Sequence, residues 1–285
     1  MKRTSWLALA MVASVGAAVA ATPKAEKKPE PGADAFWARY AEVANGPQRS
    51  AENKARDVYR HPKETLQFFG LKAGQTVLEV TPGGGWYTEI LGPLMKGQGK
   101  LSAAVIDPNS STKESTQEYY RSNNQKFRDK LSADPASYGE VEVLEFNLNE
   151  PKFGPGGTYD LVMTFRNVHN WTGAKADAAM FKAFFAALKP GGVLGVEEHR
   201  AKAGVTVEES FKSGYIPEDY VVKLATDAGF KLDAKSEINA NPKDTKDYPD
   251  GVWTLPPTLR EGDKDRAKYV AIGESDRMTL KFVKR

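Results

Sequence analysis

The chain has 285 residues, 40% of them hydrophobic and 27% charged, which is ordinary for a globular protein and enough for one large domain or two small ones. Its formal net charge of +3 falls to about +1 once Lys2 and Arg3 of the leader are set aside, so charge gives no reason to assign nucleic acid or a membrane surface as partner. The absence of cysteine excludes disulfides, thiolate metal sites, cysteine nucleophiles and a lipid-modified cysteine.

Lys2 and Arg3 precede an apolar stretch from Trp6 to Val19, and Ala18-Val19-Ala20 places small residues at a cleavage position. This pattern predicts a signal peptide over residues 1–20 and a periplasmic or secreted protein. The apolar stretch is about 14 residues long, short of the roughly 20 that span a bilayer, which favours a cleaved leader over an uncleaved anchor, and no other segment is long and apolar enough for a span to be expected after leader removal. Residues 21–33, with Pro23, Pro29, Pro31 and interspersed lysines and glutamates, read as a disordered linker. The rest, 34–285, reads as one folded domain opening on short helices (34–70): Asp34 to Tyr40, a second capped by Ser50, and Lys63 to Phe69 after the break at His61-Pro62.

Thr76 to Val80 is a buried strand, ended by Thr81-Pro82-Gly83-Gly84-Gly85. A helix from Trp86 to Met95 follows, then a strand from Leu101 to Ile106 that stops at Asp107. Strand, glycine turn, helix, strand and acid build a mononucleotide-type site, in which bare backbone approaches a ligand and the acid receives ribose hydroxyls. An adenosine-containing cofactor is therefore expected. Asn109 to Ala133 reads as a polar helix, and Val141 to Phe146 and Tyr159 to Phe165 as strands. A helix from Ala174 to Leu188 stops at Pro190-Gly191-Gly192 before a strand from Val193 to Glu197. A largely helical stretch from Ser210 to Ala228 precedes strands at Phe230 to Ile238 and Met278 to Val283, read as a closing antiparallel hairpin. The long loop before the last strand (239–277), rich in Pro, Asp and Lys, is expected to be functional or mobile. The sum is an α/β fold: a Rossmann-like seven-stranded, mostly parallel sheet, helices on both faces, last strand antiparallel.

The dinucleotide fingerprint G-x-G-x-x-G fails at its third glycine, where Thr88 stands, and no P-loop Gly-Lys-Ser or Gly-Lys-Thr exists. The chain instead resembles the class I S-adenosylmethionine-dependent methyltransferases, whose first motif is an acid, one residue, then G-x-G-x-G. Here Glu79 is the acid, Thr81 replaces the first glycine, Gly83 and Gly85 match the other two, and Gly84 lies between them. Asp107 matches the ribose-binding acid, Asn147 falls near the adenine position, and Leu188-Lys189-Pro190-Gly191-Gly192 is a further shared feature. More narrowly, Pro82 to Glu89, Phe165 to Trp171 and the terminal Leu280-Lys281-Phe282 look like an exported predicted-methyltransferase group. The resemblance implies S-adenosyl-L-methionine as cofactor and methyl transfer to a small-molecule acceptor outside the cytoplasm.

Two of three histidines follow strands four and five, where ligands sit in open α/β sheets. His169 is the expected base and His199 the second choice, with Arg166 or Arg200 holding an anionic group of the acceptor. Trp86, Tyr87 and Trp171 are expected to form an aromatic wall, and Glu79 to organise backbone amides. Two other readings use the same residues. His61, His169 and His199, with Glu198 or Asp57, would make a metal-dependent enzyme if they converge, but they lack short ligand spacing and no metal is assigned. A non-catalytic nucleoside-binding or interaction module would explain Thr81-Pro82 in an exported protein, where the cofactor is expected to be scarce.

Overall fold

The computed structural model describes Met1, residues 33–210 and residues 212–285. The predicted leader, and the linker up to residue 32, lie outside the described residues; Ala33 opens the first helix, Ala33–Ala38. Seven strands form one sheet: β1 (Thr76–Val80), β2 (Lys100–Ile106), β3 (Val141–Phe146), β4 (Tyr159–Phe165), β5 (Leu188–His199), β6 (Phe230–Ser236) and β7 (Arg277–Lys284). Their order is β3-β2-β1-β4-β5-β7-β6. The first five pair in parallel, and β7 lies between β5 and β6, antiparallel to both. Winding reverses between β1 and β4, so the crevice beyond their carboxyl ends is where a ligand is expected.

Central strands read as continuous apolar runs because helices cover both faces. On one face Leu78, Val80, Val162, Leu194, Val196 and Leu280 meet Trp171, Phe181 and Phe184. On the other, Val77, Leu161, Met163 and Phe165 pack against Leu66, Phe69, Tyr87, Ile90 and Leu94. Side chains of adjacent strand residues point to opposite faces, which splits Val77 from Leu78. The edge strand β6 alternates exposed residues with half-buried ones after the buried Phe230, as a half-covered strand does.

Local chemistry fixes most boundaries. Ser50 accepts from the Asn53 amide at 3.1 Å and caps the helix Ala51–Ala55. His61 takes the left-handed conformation (φ 39°) before Pro62, which starts the helix Pro62–Phe69. Three expectations change. The strand after Pro190 begins earlier, at Leu188, because Leu188 pairs with Tyr159 before an irregularity in the ladder. The helical stretch expected over 210–228 is interrupted: a short turn, Val207–Ser210, is followed by a helix only from Glu218, after Pro217. The last two strands do pair, but a helix, Arg266–Ile272, lies in the long connection between them.

Candidate active site

Thr81 leaves β1 in the left-handed region (φ 55°), which disfavours a β-branched side chain. The family's first glycine falls at this position, and the reason is now visible. The turn is held by Asn167, whose amide donates to the carbonyls of Val80 (3.2 Å) and Thr81 (3.1 Å). Gly83 (φ 59°) and Gly85 (φ 78°) also need positive φ. A Cβ built on Gly83 or Gly84 meets no atom within 4 Å, whereas one on Gly85 lies 3.0 Å from the Phe127 ring.

A cavity of about 80 Å³ opens on this turn. Thr81, Pro82 and Gly83 form one wall, Val105 and Ile106 the floor, and Tyr119, Tyr120, Asn123, Asn124 and Phe127 the other wall. That second wall is the helix Glu114–Ala133, tied down by Asn124 donating to the Ile106 carbonyl at 2.8 Å and Lys130 donating to the Gly84 carbonyl at 2.9 Å. Lys130 also pairs with the buried Glu89. The Thr81 hydroxyl is buried without a hydrogen-bond partner.

Asp107, Asn147 and Glu79, also expected at the cofactor, are not in the lining of this hollow. Asp107 stands at the end of β2, half-buried, with one carboxylate oxygen accepting from the Asn109 amide at 2.8 Å. Asn147 is exposed, and its side-chain oxygen accepts from the Asn149 amide at 2.9 Å. Glu79 is buried and accepts from the Thr88 hydroxyl at 2.7 Å, so it fastens the start of the next helix to β1. Burial pushes its pKa up to about 7, against the opposing effects of the Thr88 bond and Lys130. Glu79→Gln is therefore expected to flatten the pH dependence of stability. In the native chain the group is protonated in the fold when it would already be ionised unfolded. Its contribution is intact below pH 4.5 and is lost as pH rises through about 7, at most about 3 kcal/mol. Denaturant titrations of both proteins at pH 5 and pH 8 check this; equal losses in the two would refute it.

A second cavity, about 230 Å³, lies beyond the ends of β4 and β5. His169 and His199 both line it, with ring centroids 5.3 Å apart. His169 Nδ1 lies 3.0 Å from the Glu198 carboxylate, which also accepts from the amides of His169 (3.2 Å) and His199 (2.7 Å). His199 Nδ1 lies 2.6 Å from the Ser275 hydroxyl. Burial, with His169, Arg166 and Arg277 adding to it, holds His199 well below the ordinary imidazole pKa, so it is neutral at pH 7. Arg166 lines the cavity from a left-handed residue (φ 59°) directly after β4.

Several expectations are corrected. Arg200 is not in this cavity: it pairs with Asp276 and Glu237, through both carboxylate oxygens of each. Trp86, Tyr87 and Trp171 are core residues, because their faces are consumed by packing. Tyr87 stacks on Phe165 at 3.5 Å and donates to Glu197, and Trp86 lies under Arg49 and Arg60. His61 lies apart; among the described residues, the group with metal-ligand spacing is His169, Glu198 and His199. Sequence reasoning missed Arg56, Arg60, Trp253, Glu274 and Ser275, which complete the second cavity. Four of these five carry strong side-chain chemistry, but they come from segments read as a helical preface and a loop.

An open sheet with this strand order, a glycine turn at the reversal point and paired cavities beyond the strand ends defines a nucleotide-cofactor enzyme fold of the class I type. The chain belongs to the methyltransferase-domain family, whose model matches residues 54–234. Its fold is shared with a S-adenosylmethionine-dependent methyltransferase from Aquifex aeolicus, at 19% identity, a TM-score of 0.51, and coverage of 80% of this chain and 92% of that one. A chain from the complex of the Haloferax volcanii Trm112 methyltransferase activator with a methyltransferase is similar at 16% identity and TM-score 0.51, covering 85% and 96%. The 4+2 cyclase SpnF is similar at 14% identity and TM-score 0.54, covering 84% and 85%. No curated protein matches the sequence.

Proposed function

We propose that this protein transfers a methyl group from S-adenosylmethionine to a small-molecule acceptor outside the cytoplasm. The observation that carries the reading is the bare turn at the reversal point: Gly83 and Gly84 present backbone with open space where a Cβ would stand. The donor set fits the cofactor. Thr81 offers an orphaned buried hydroxyl beside that backbone, and Asp107 keeps one carboxylate oxygen without a hydrogen bond at the end of β2. When bound, the cofactor supplies an electrophilic methyl group on sulfur.

The chain's own residues do the rest. The first cavity, on the Thr81 turn, takes the cofactor, and the second, lined by residues that follow β4 and β5, takes the acceptor. Alignment of the two reactants is the main source of rate in such a reaction. His169 is the base: Glu198 engages Nδ1 and leaves Nε2 to take the acceptor's proton, and the same carboxylate stabilises the imidazolium that results. His199 stays neutral and fixes Ser275. The location outside the cytoplasm rests on the leader pattern, Lys2-Arg3 followed by Trp6 to Val19 and Ala18-Val19-Ala20.

Calorimetric titration of the protein lacking residues 1–20 is expected to give saturable one-to-one binding of S-adenosylmethionine and S-adenosylhomocysteine. Failure of both to bind would overturn the cofactor assignment. Amino-terminal sequencing of the protein recovered from the expressing cell is expected to begin near Ala21, and an intact Met1 would overturn the location.

A further inference from the structure

We infer that the second cavity is an oxyanion site, so that the acceptor is a small molecule carrying a carboxylate or phosphate group. This deepens the methyl-transfer reading and rests on it for the word acceptor; the anion site itself rests on geometry alone. Three guanidinium groups, Arg56, Arg60 and Arg166, line the cavity against one carboxylate, Glu274. Glu274 is shared to excess: it accepts from Arg56 Nε (2.6 Å), Arg60 Nε (2.9 Å) and Arg277 Nη1 (2.8 Å).

The sharing leaves donors over. Arg60 is 2% exposed, yet its Nη1 is buried with no hydrogen-bond partner. Arg166 Nη1 is buried in the same condition, 3.8 Å from the nearest Glu274 oxygen. A buried donor without an acceptor is costly, more so when it carries charge, and a planar guanidinium matches a carboxylate or phosphate. Arg60 and Arg166 both line the cavity, so unpaired guanidinium nitrogens beside it favour an oxyanion there. The remaining wall is apolar, with Val252, Trp253 and Pro256 from the long connection, and can cover the body of a small molecule.

The same charges decide against a cation beside the two histidines. The Glu198 carboxylate is already occupied by His169 Nδ1 and two backbone amides. Arg166 and Arg277 lie close enough to His199 to disfavour positive charge there.

The test is calorimetric titration, at fixed ionic strength and without cofactor, of the leaderless protein with two probes, inorganic phosphate and benzoate. At least one is expected to bind saturably at one site. Phosphate preferred points to a phosphate monoester, benzoate preferred to a carboxylate on a flat apolar body. Arg166→Gln and Arg56→Gln, whose side chains are partly exposed and whose folding is checked by circular dichroism, are each expected to weaken binding by about 10- to 100-fold. Binding of neither probe, or unchanged affinity in both folded variants, overturns the proposal. Anion binding without cofactor binding would keep this site while removing methyl transfer, and the converse would do the reverse.

Discussion

Glu274→Gln is expected to lower the stability of this protein by about 3–5 kcal/mol, the usual loss when one partner of a buried ion network is removed. Glu274 and Glu197 are the carboxylates that hold the buried guanidinium groups at this end of the sheet. Arg277, 1% exposed, uses Nη1 for Glu274 and lies 2.8 Å from Glu197 through Nε. Arg56 and Arg60 reach Glu274 from the amino-terminal helices. Glutamine keeps the shape and one acceptor oxygen but removes the charge, leaving three arginines to share a neutral group. The midpoint of thermal unfolding should fall on the order of 10 °C for a domain of this size. A loss under about 1 kcal/mol in denaturant titration would show that solvent already screens the cluster. Added phosphate should restore more stability to this variant than to the native chain, because an anion in the cavity supplies the missing charge.

The fold was readable because its signals are local. β1 and β4 follow from short apolar runs and β3 from apolar–polar alternation, and the bounds of all three agree with the sequence reading. The place of β7 is only half readable: its antiparallel sense agrees with the expectation although a helix, Arg266–Ile272, lies in the connection read as having none, and its insertion between β5 and β6 depends on long-range pairing. The helix expected over 210–228 failed at its start. Apolar spacing continues through Tyr215 and Ile216, but these side chains are buried from an extended segment that bridges to Arg200. Periodicity alone does not separate such a segment from a helix.

The site divides in the same way. The turn from Thr81 to Gly85 and the histidines after β4 and β5 announce themselves, because glycine runs and rare residues at strand ends carry chemistry. Glu79, expected to organise backbone amides, accepts from the Thr88 hydroxyl, where its side chain meets the start of the next helix. Trp86 and Tyr87 show the limit of sequence position: an aromatic at a helix start is pulled into whatever core lies under it. Trp253, which does face the second cavity, comes from a stretch with no periodic pattern at all. The arginine cluster assembles from residues 56, 60, 166 and 277, separated by up to 218 positions in the Arg56 and Glu274 pair. No spacing rule sees such a group; only the folded chain does.

The second large effect concerns Gly83, where conformational strain and ligand exclusion can be separated. Gly83→Val places a branched side chain at φ 59°, a conformation costing about 1–3 kcal/mol for such a residue. No atom lies within 4 Å of the new Cβ, so the fold itself is not struck. The side chain grows from a residue of the cavity wall into the space assigned to S-adenosylmethionine, and binding should weaken by at least about 100-fold, or about 2.7 kcal/mol. Gly97→Val is the matched control: it has φ 65° and open space as well, but lies before β2, at the opposite end of the strands from the cavity. It should lose similar stability and keep full affinity. Gly85→Val behaves differently again, since its Cβ meets the Phe127 ring at 3.0 Å and that ring, on the cavity's other wall, must give way. Calorimetry on the three variants, with denaturant titration beside it, distinguishes the effects. If Gly83→Val binds the cofactor as the native chain does while Gly97→Val is equally destabilised, the turn is only a connection and the cofactor lies elsewhere.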